Sequence, residues 1–182
     1  MTAPIETEVD AVMRMVIGRH PLLVAVGHGR DSRSAARAAT FAERWLAVGG
    51  RLTGLVSWPA SAASWLRPAS RLSAGGPDLW VVADGPAGWA GMAARLLELG
   101  RWRPERTIAF GALADPRLPD LCPRGAVDGL SGASADGSQW IFDGDVLLCA
   151  GGTDTVGAGG RNHAARWREH RRVGVDRAAQ PP

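Results

Sequence analysis

The chemistry in this chain concentrates in one hexapeptide, Gly27-His28-Gly29-Arg30-Asp31-Ser32. It holds an imidazole, a guanidinium, a carboxylate and a hydroxyl, with the hydroxyl of Ser34 two residues further on. A loop of this composition between a strand and a helix offers free backbone N–H groups, a cation and hydroxyls. That set suits a carboxylate or a phosphate. Its glycines fill only the first two places of a dinucleotide fingerprint, with Ser32 in the third, and no Gly-Lys-Ser/Thr makes it a P-loop. A nucleophilic triad of Ser32, His28 and Asp31 is sterically poor inside one short turn, because triads draw on separate segments. No catalytic residue is assigned. The plainer alternative is a capped helix with a solvated loop.

Three further places carry chemistry. Asp84 and Gly85 follow an apolar run, so Asp84 either meets a ligand amine or caps the next turn. Trp58 and Trp65 bracket a loop and serve as a stacking floor, a partner anchor or core. Asp115, like Asp136, is a loop acid with ordinary turn roles as the alternative. The candidate ligand-binding set is therefore His28, Gly29, Arg30, Asp31, Ser32, Trp58, Asp84, Gly85 and Asp115. Cys122 and Cys149 have neither metal spacing nor a CxxC pairing, and His163 and His170 lie seven apart. No metal and no cofactor is expected.

These residues need elements to hold them. Leu22 to Val26 is a continuous apolar run, as in a strand covered on both faces. Ser32 is read as the N-cap of the next helix, whose Ala35, Ala38, Ala39, Ala42, Trp45 and Leu46 recur at helical spacing before Gly49-Gly50 closes it. Further strands are read at Arg51–Ser57, Leu79–Ala83 and Arg106–Phe110, with a fifth at Ala126–Leu130. Helices are read at Ile5–Gly18, Ala62–Ser73 and Ala87–Leu99, and a loop or short helix across Asp115–Leu121. In the Ala62–Ser73 helix, Trp65, Leu66, Ala69 and Leu72 face inward and Pro68 confines the regular part to start near Arg67. Trp80 is core. Trp140 to Leu148 reads as a hairpin turning at Asp143-Gly144. Alternating strands and helices predict an α/β fold, a single Rossmann-like three-layer lobe. Its sheet is mainly parallel, with helices on both faces and a C-terminal β-hairpin.

Composition bounds the rest. The chain has 182 residues, enough for one domain with its own core, and 46% hydrophobic content excludes wholesale disorder. All 21 basic residues are Arg. Up to Ala150, 15 Arg balance 15 acidic residues, so the net charge of +3 belongs to 151–182, with 6 Arg against 3 acids. The sequence pI near 10 is therefore no evidence for a nucleic-acid-binding body, and nucleic acid is not an expected partner. Residues 1–150 are expected to form the lobe, and 151–182 a Gly-rich linker with a basic, disordered tail. The opening MTAPIETEVDAVMRMVIGRH has no long apolar core, so neither a membrane span nor a signal peptide is expected, and a cytoplasmic location is.

The order of these units resembles the second lobe of type I periplasmic binding proteins, the branched-chain amino-acid receptors of ABC transporters. The pieces that carry the likeness are LLVAVGHGRDS, AVGGRLTGLVSWP, RLSAGGPDLWVVADGPAGWAGMAARLLELG, and RTIAFGALADPRLPDL followed by AVDGLSGAS. The family has Asp-Phe where this chain has Ser64-Trp65, and an aromatic where this chain has Gly29 to Asp31. The resemblance implies a binding or sensing module for a small amino-acid-like or anionic ligand, or for a protein partner. Two alternatives stay open: a small enzyme on the same lobe, and a homodimeric interaction domain without ligand.

Overall fold

A computed structural model describes residues 3–150, and the expectations for 151–182 lie outside the described residues. In chain order the elements are α1 (Ala3–Gly18), β1 (Val24–Gly29), α2 (Ser32–Ala47), β2 (Leu52–Trp58), α3 (Leu66–Leu72), β3 (Leu79–Ala83), α4 (Pro86–Leu99), β4 (Thr107–Phe110), α5 (Leu118–Leu121), β5 (Ser131–Ala133), β6 (Gln139–Asp143) and β7 (Val146–Cys149). One seven-stranded sheet has the order β2-β1-β3-β4-β5-β6-β7. The first five strands run parallel, and β6 and β7 continue the sheet antiparallel. The α/β lobe with a mainly parallel sheet is thus the architecture that forms.

Alternation along the strands divides the core into two layers, as the pleat requires. Val24, Val26, Val81, Ile108 and Phe110 pack against Val9, Val12 and Val16 of α1 and Phe41 and Trp45 of α2. On the other face Ala25, Trp80, Val82 and Ala109 meet Ala69 and Leu72 of α3 and Trp89, Met92 and Leu96 of α4. Trp80 is core, and its Nε1–H donates to the Leu72 carbonyl at 3.2 Å.

Several boundaries differ from the sequence expectation, each for a local reason. The ladder of β1 starts at Val24, because the N–H groups of Leu22 and Leu23 donate to the Asp78 carboxylate at 3.0 and 2.9 Å, leaving Leu22 exposed. It also runs on through Gly29. Asp31, not Ser32, caps α2: its Oδ1 accepts the Ser34 N–H at 2.9 Å. Leu46, placed in the helical stripe, is exposed at the end of that helix, and so is Leu66, expected to face inward. The helix α3 begins at Leu66, close to the start near Arg67 that Pro68 implied. Pro68 does fall in its first turn. Ala126–Leu130 is not the fifth strand. It is a turn closed by bonds from Ala126 N–H to Pro123 O and from Leu130 N–H to Val127 O, with Gly129 at φ 81, and β5 follows it. The hairpin turns at Gly144-Asp145, one residue later than read, since Asp143 pairs with Val146. Positive φ at Gly144 alone suits a turn with glycine first.

Candidate functional site

Parallel strands present their C-terminal ends on one edge, where open α/β sheets bind ligands. Here that edge gathers Gly29, Trp58, Ala83 and Phe110, the last residues of β1, β2, β3 and β4. The hexapeptide lies on it, and its two glycines have a use not expected from the sequence.

Gly27 and Gly29 are two apart on β1 and so share a face, the one toward α3 and α4. A Cβ on Gly27 would stand 2.6 Å from the Trp58 ring, and one on Gly29 would collide with Asp84 Oδ1. The indole of Trp58, on β2, lies back across β1 over Gly27. The carboxylate of Asp84, just beyond β3, reaches over Gly29 from the other side. They meet there: Trp58 Nε1–H donates to Asp84 Oδ2 at 2.6 Å, while Gly85 N–H donates to Oδ1 at 2.8 Å. Gly88, in the first turn of α4, forms the third wall, where a Cβ would sit 2.6 Å from Oδ2. The glycines therefore clear a trough for an internal bridge. Paired strand glycines were the available signal for such an approach.

Asp84 is only 4% exposed. Burial raises its carboxyl to about 6, and Asp31 adds to the rise, against the opposing hydrogen bonds from Trp58 and Gly85 and the charge of His28. Asp31 behaves oppositely. Burial works against its charge, yet bonds from the Ser34 hydroxyl and from the backbone of Ser34 and Arg33 hold it below the usual carboxylate range. A Cβ on Gly29 would also lie 3.1 Å from Asp31 Oδ2, so the two carboxylates share one corner.

The remaining candidates sort by exposure. Arg30 is exposed at the head of α2, its backbone N–H donating to Trp58 O at 3.1 Å, and its guanidinium has no bonded partner among the described residues. Ser32 is exposed beside it. His28 points to the opposite face from Gly29, half-buried, with Nδ1 2.7 Å from the Gly29 carbonyl. Trp58 is fully buried, so its indole reaches this edge only through Asp84. Trp65 is half-buried, donates to Pro59 O at 3.1 Å and covers Gly91, where a Cβ would lie 2.8 Å from its ring. Asp115 is drawn away. It binds the Nε, Nη2 and backbone N–H of Arg117, whose bonds lower it to about 2. No group of three or more metal-ligating side chains occurs among the described residues.

One pair at this edge escaped the sequence. Glu8 of α1 is 1% exposed, accepts the Gly111 N–H at 2.7 Å just past β4, and pairs with Arg37 of α2 at 2.6 Å. It ties both helices of one layer to the end of β4. Only a charged residue on the apolar side of α1 hinted at it.

No family model matches the chain, and no curated protein does. Solved structures do. A branched-chain amino acid ABC transporter protein from Rhodospirillum rubrum superposes with a TM-score of 0.63 at 21% identity, over 73% of this chain and 37% of that one. A leucine binding protein from Thermotoga maritima matches at 0.58 and 18%, over 71% and 36%. A solute binding protein of an ABC transporter from Rhodopseudomonas palustris, solved with p-hydroxybenzoic acid, matches at 0.56 and 16%, over 71% and 35%. The chain thus spans little more than a third of these proteins. The comparisons overturn the cytoplasmic expectation: another match is described as an extracellular ligand-binding receptor, which points away from that compartment. Nor do they support the expected oligomer. What they show is architecture: the described residues have the fold of a single lobe of the type I periplasmic binding proteins that serve branched-chain amino-acid ABC transporters.

Proposed function

We propose that the protein is a ligand-binding module that takes a small anionic or amino-acid-like molecule at the C-terminal edge of the sheet. The observation that carries this is Arg30: exposed, unpaired among the described residues, and set ahead of the N-terminus of a four-turn helix. A carboxylate there meets a guanidinium and the positive end of α2. A ligand ammonium would find the exposed Asp31 at the adjoining corner, with the charge of buried Asp84 behind it. The neighbours support the reading, since one binds leucine by its description and another was solved with p-hydroxybenzoic acid. No helix among the described residues is long and apolar enough to cross a membrane.

One lobe covers one side of a ligand, so affinity for the isolated chain should be modest. The test is a thermal-shift screen of amino acids and aromatic carboxylates, followed by titration of Arg30→Ala. Losing a charge-assisted hydrogen bond removes ~1.5–3 kcal/mol, a drop in affinity of about 10- to 150-fold. Equal binding by the variant, or no stabilising compound in the screen, would sink the proposal.

A further inference from the structure

Asp84 is an unusual group to find inside this lobe. It is a carboxylate closed in by Gly29 and Gly88, anchored to Trp58 across a whole strand, and set against a second carboxylate. Its surroundings leave little room for water to replace either donor. The titratable groups whose charges act on it are Asp31, from the turn entering α2, and His28, on the other face of β1. β2 supplies only the Trp58 N–H, and the entry to α4 only the Gly85 N–H and the Gly88 wall.

We propose that Asp84 is a proton switch: on gaining a proton it weakens its bond with Trp58 and removes a negative charge from the edge beside Arg30. The bond is charge-assisted when Asp84 is ionised and an ordinary neutral one when it is not. The charge of Asp31 opposes ionisation, and since Asp31 itself stays ionised, the pair exchanges one proton, not two. Burial and Asp31 bring that exchange to a pH of about 6, where small changes of acidity move it. The ligand consequence rests on the reading above: the protonated edge favours an anion at Arg30, and the ionised edge favours a molecule that also carries an ammonium.

The experiment is a pH titration of the tryptophan side-chain N–H resonances of the full chain without ligand, with the Trp58 signal identified by its loss in Trp58→Phe. The Trp58 resonance should shift with one transition near pH 6, persist in His28→Gln, and vanish in Asp84→Asn. A flat Trp58 signal between pH 4.5 and 8 overturns the switch, and so does a transition that survives Asp84→Asn or is lost in His28→Gln. If Asp84→Asn fails to fold, the carboxyl carbon of Asp84 is followed directly in labelled wild-type protein, with the same midpoint expected. A second arm measures 4-hydroxybenzoate affinity at pH 5 and pH 8. Tighter binding at pH 5 in the wild type, abolished in Asp84→Asn, supports the ligand consequence, and pH-independent binding overturns it. No binding at either pH removes the ligand reading while leaving the indole titration to decide the switch.

Discussion

Trp58 and Asp84 are bonded across a strand to which neither belongs, over a glycine that holds the space open. The bond joins the end of β2 to the end of β3 above Gly29 of β1. Gly29→Ala would push a methyl group into Asp84 Oδ1. Overpacking of this kind costs ~1–3 kcal/mol, and Gly27→Ala, pressed against the Trp58 ring, should cost a similar amount. Urea unfolding measures both. Unchanged midpoints would mean the trough has slack.

The buried carboxylate also sets a direction for pH. Asp84 titrates near 6 when folded and near the ordinary 3.8 when unfolded, so between those values the folded state holds the extra proton. Its contribution to stability is full below about pH 4 and is lost as pH rises through 6. The loss amounts to about 3 kcal/mol. The stability difference between wild type and Asp84→Asn should therefore shrink, or move in favour of the variant, from pH 4 to pH 7. A difference that stays constant across that range would exclude a perturbed Asp84.

Glu8 and Arg37 make a test of a different kind. Removing one partner of a buried pair costs about 3–5 kcal/mol, because the other is left without compensation. Glu8→Ala additionally frees the Gly111 N–H, so it should be the more damaging single substitution. Glu8→Ala with Arg37→Ala together should cost less than the two single losses added. Additive losses in a double-mutant cycle would show that the two side chains act separately.

Gly132 gives the sharpest packing prediction. A Cβ there would collide with the Ala109 carbonyl on β4 and stand 2.5 Å from the Trp140 ring. Backbone on one side cannot swing away, so Gly132→Ala should break the β4–β5 pairing and yield little soluble protein. A folded, cooperative variant would show the strand spacing to be wrong at that point.

How much of this was legible in the sequence follows from the kind of signal each part carries. Apolar runs such as Leu79–Ala83 are periodic and local, so strands, helices and the parallel order could be read. Register boundaries depend on distant partners. Nothing near Leu22 announces that Asp78 will take its N–H, and nothing near Ala126 tells a turn from a strand except a glycine whose φ is visible only in the fold. The site was legible by position, because strand ends on one edge are a property of topology. Its chemistry was not. The loop of the hexapeptide reads as an anion cradle, while in the fold both its glycines make room for Trp58 and Asp84. Side chains that meet from 26 residues apart leave no pattern in a window of the sequence.

The buried end of that bridge is also the start of a row of indoles. Trp58, Trp89 and Trp102 stand with ring centroids 6.3 and 5.6 Å apart, tilted at 43° and 74°. Rings this close and this skewed are placed to couple their strong far-ultraviolet transitions, so the three are expected to add a split aromatic signal to the far-ultraviolet circular dichroism. The opposite layer, where Trp45 stacks on Phe41, holds no second indole among the described residues. Among the described residues the split signal therefore belongs to the α3–α4 side, and its decay on heating should follow the loss of packing in that layer.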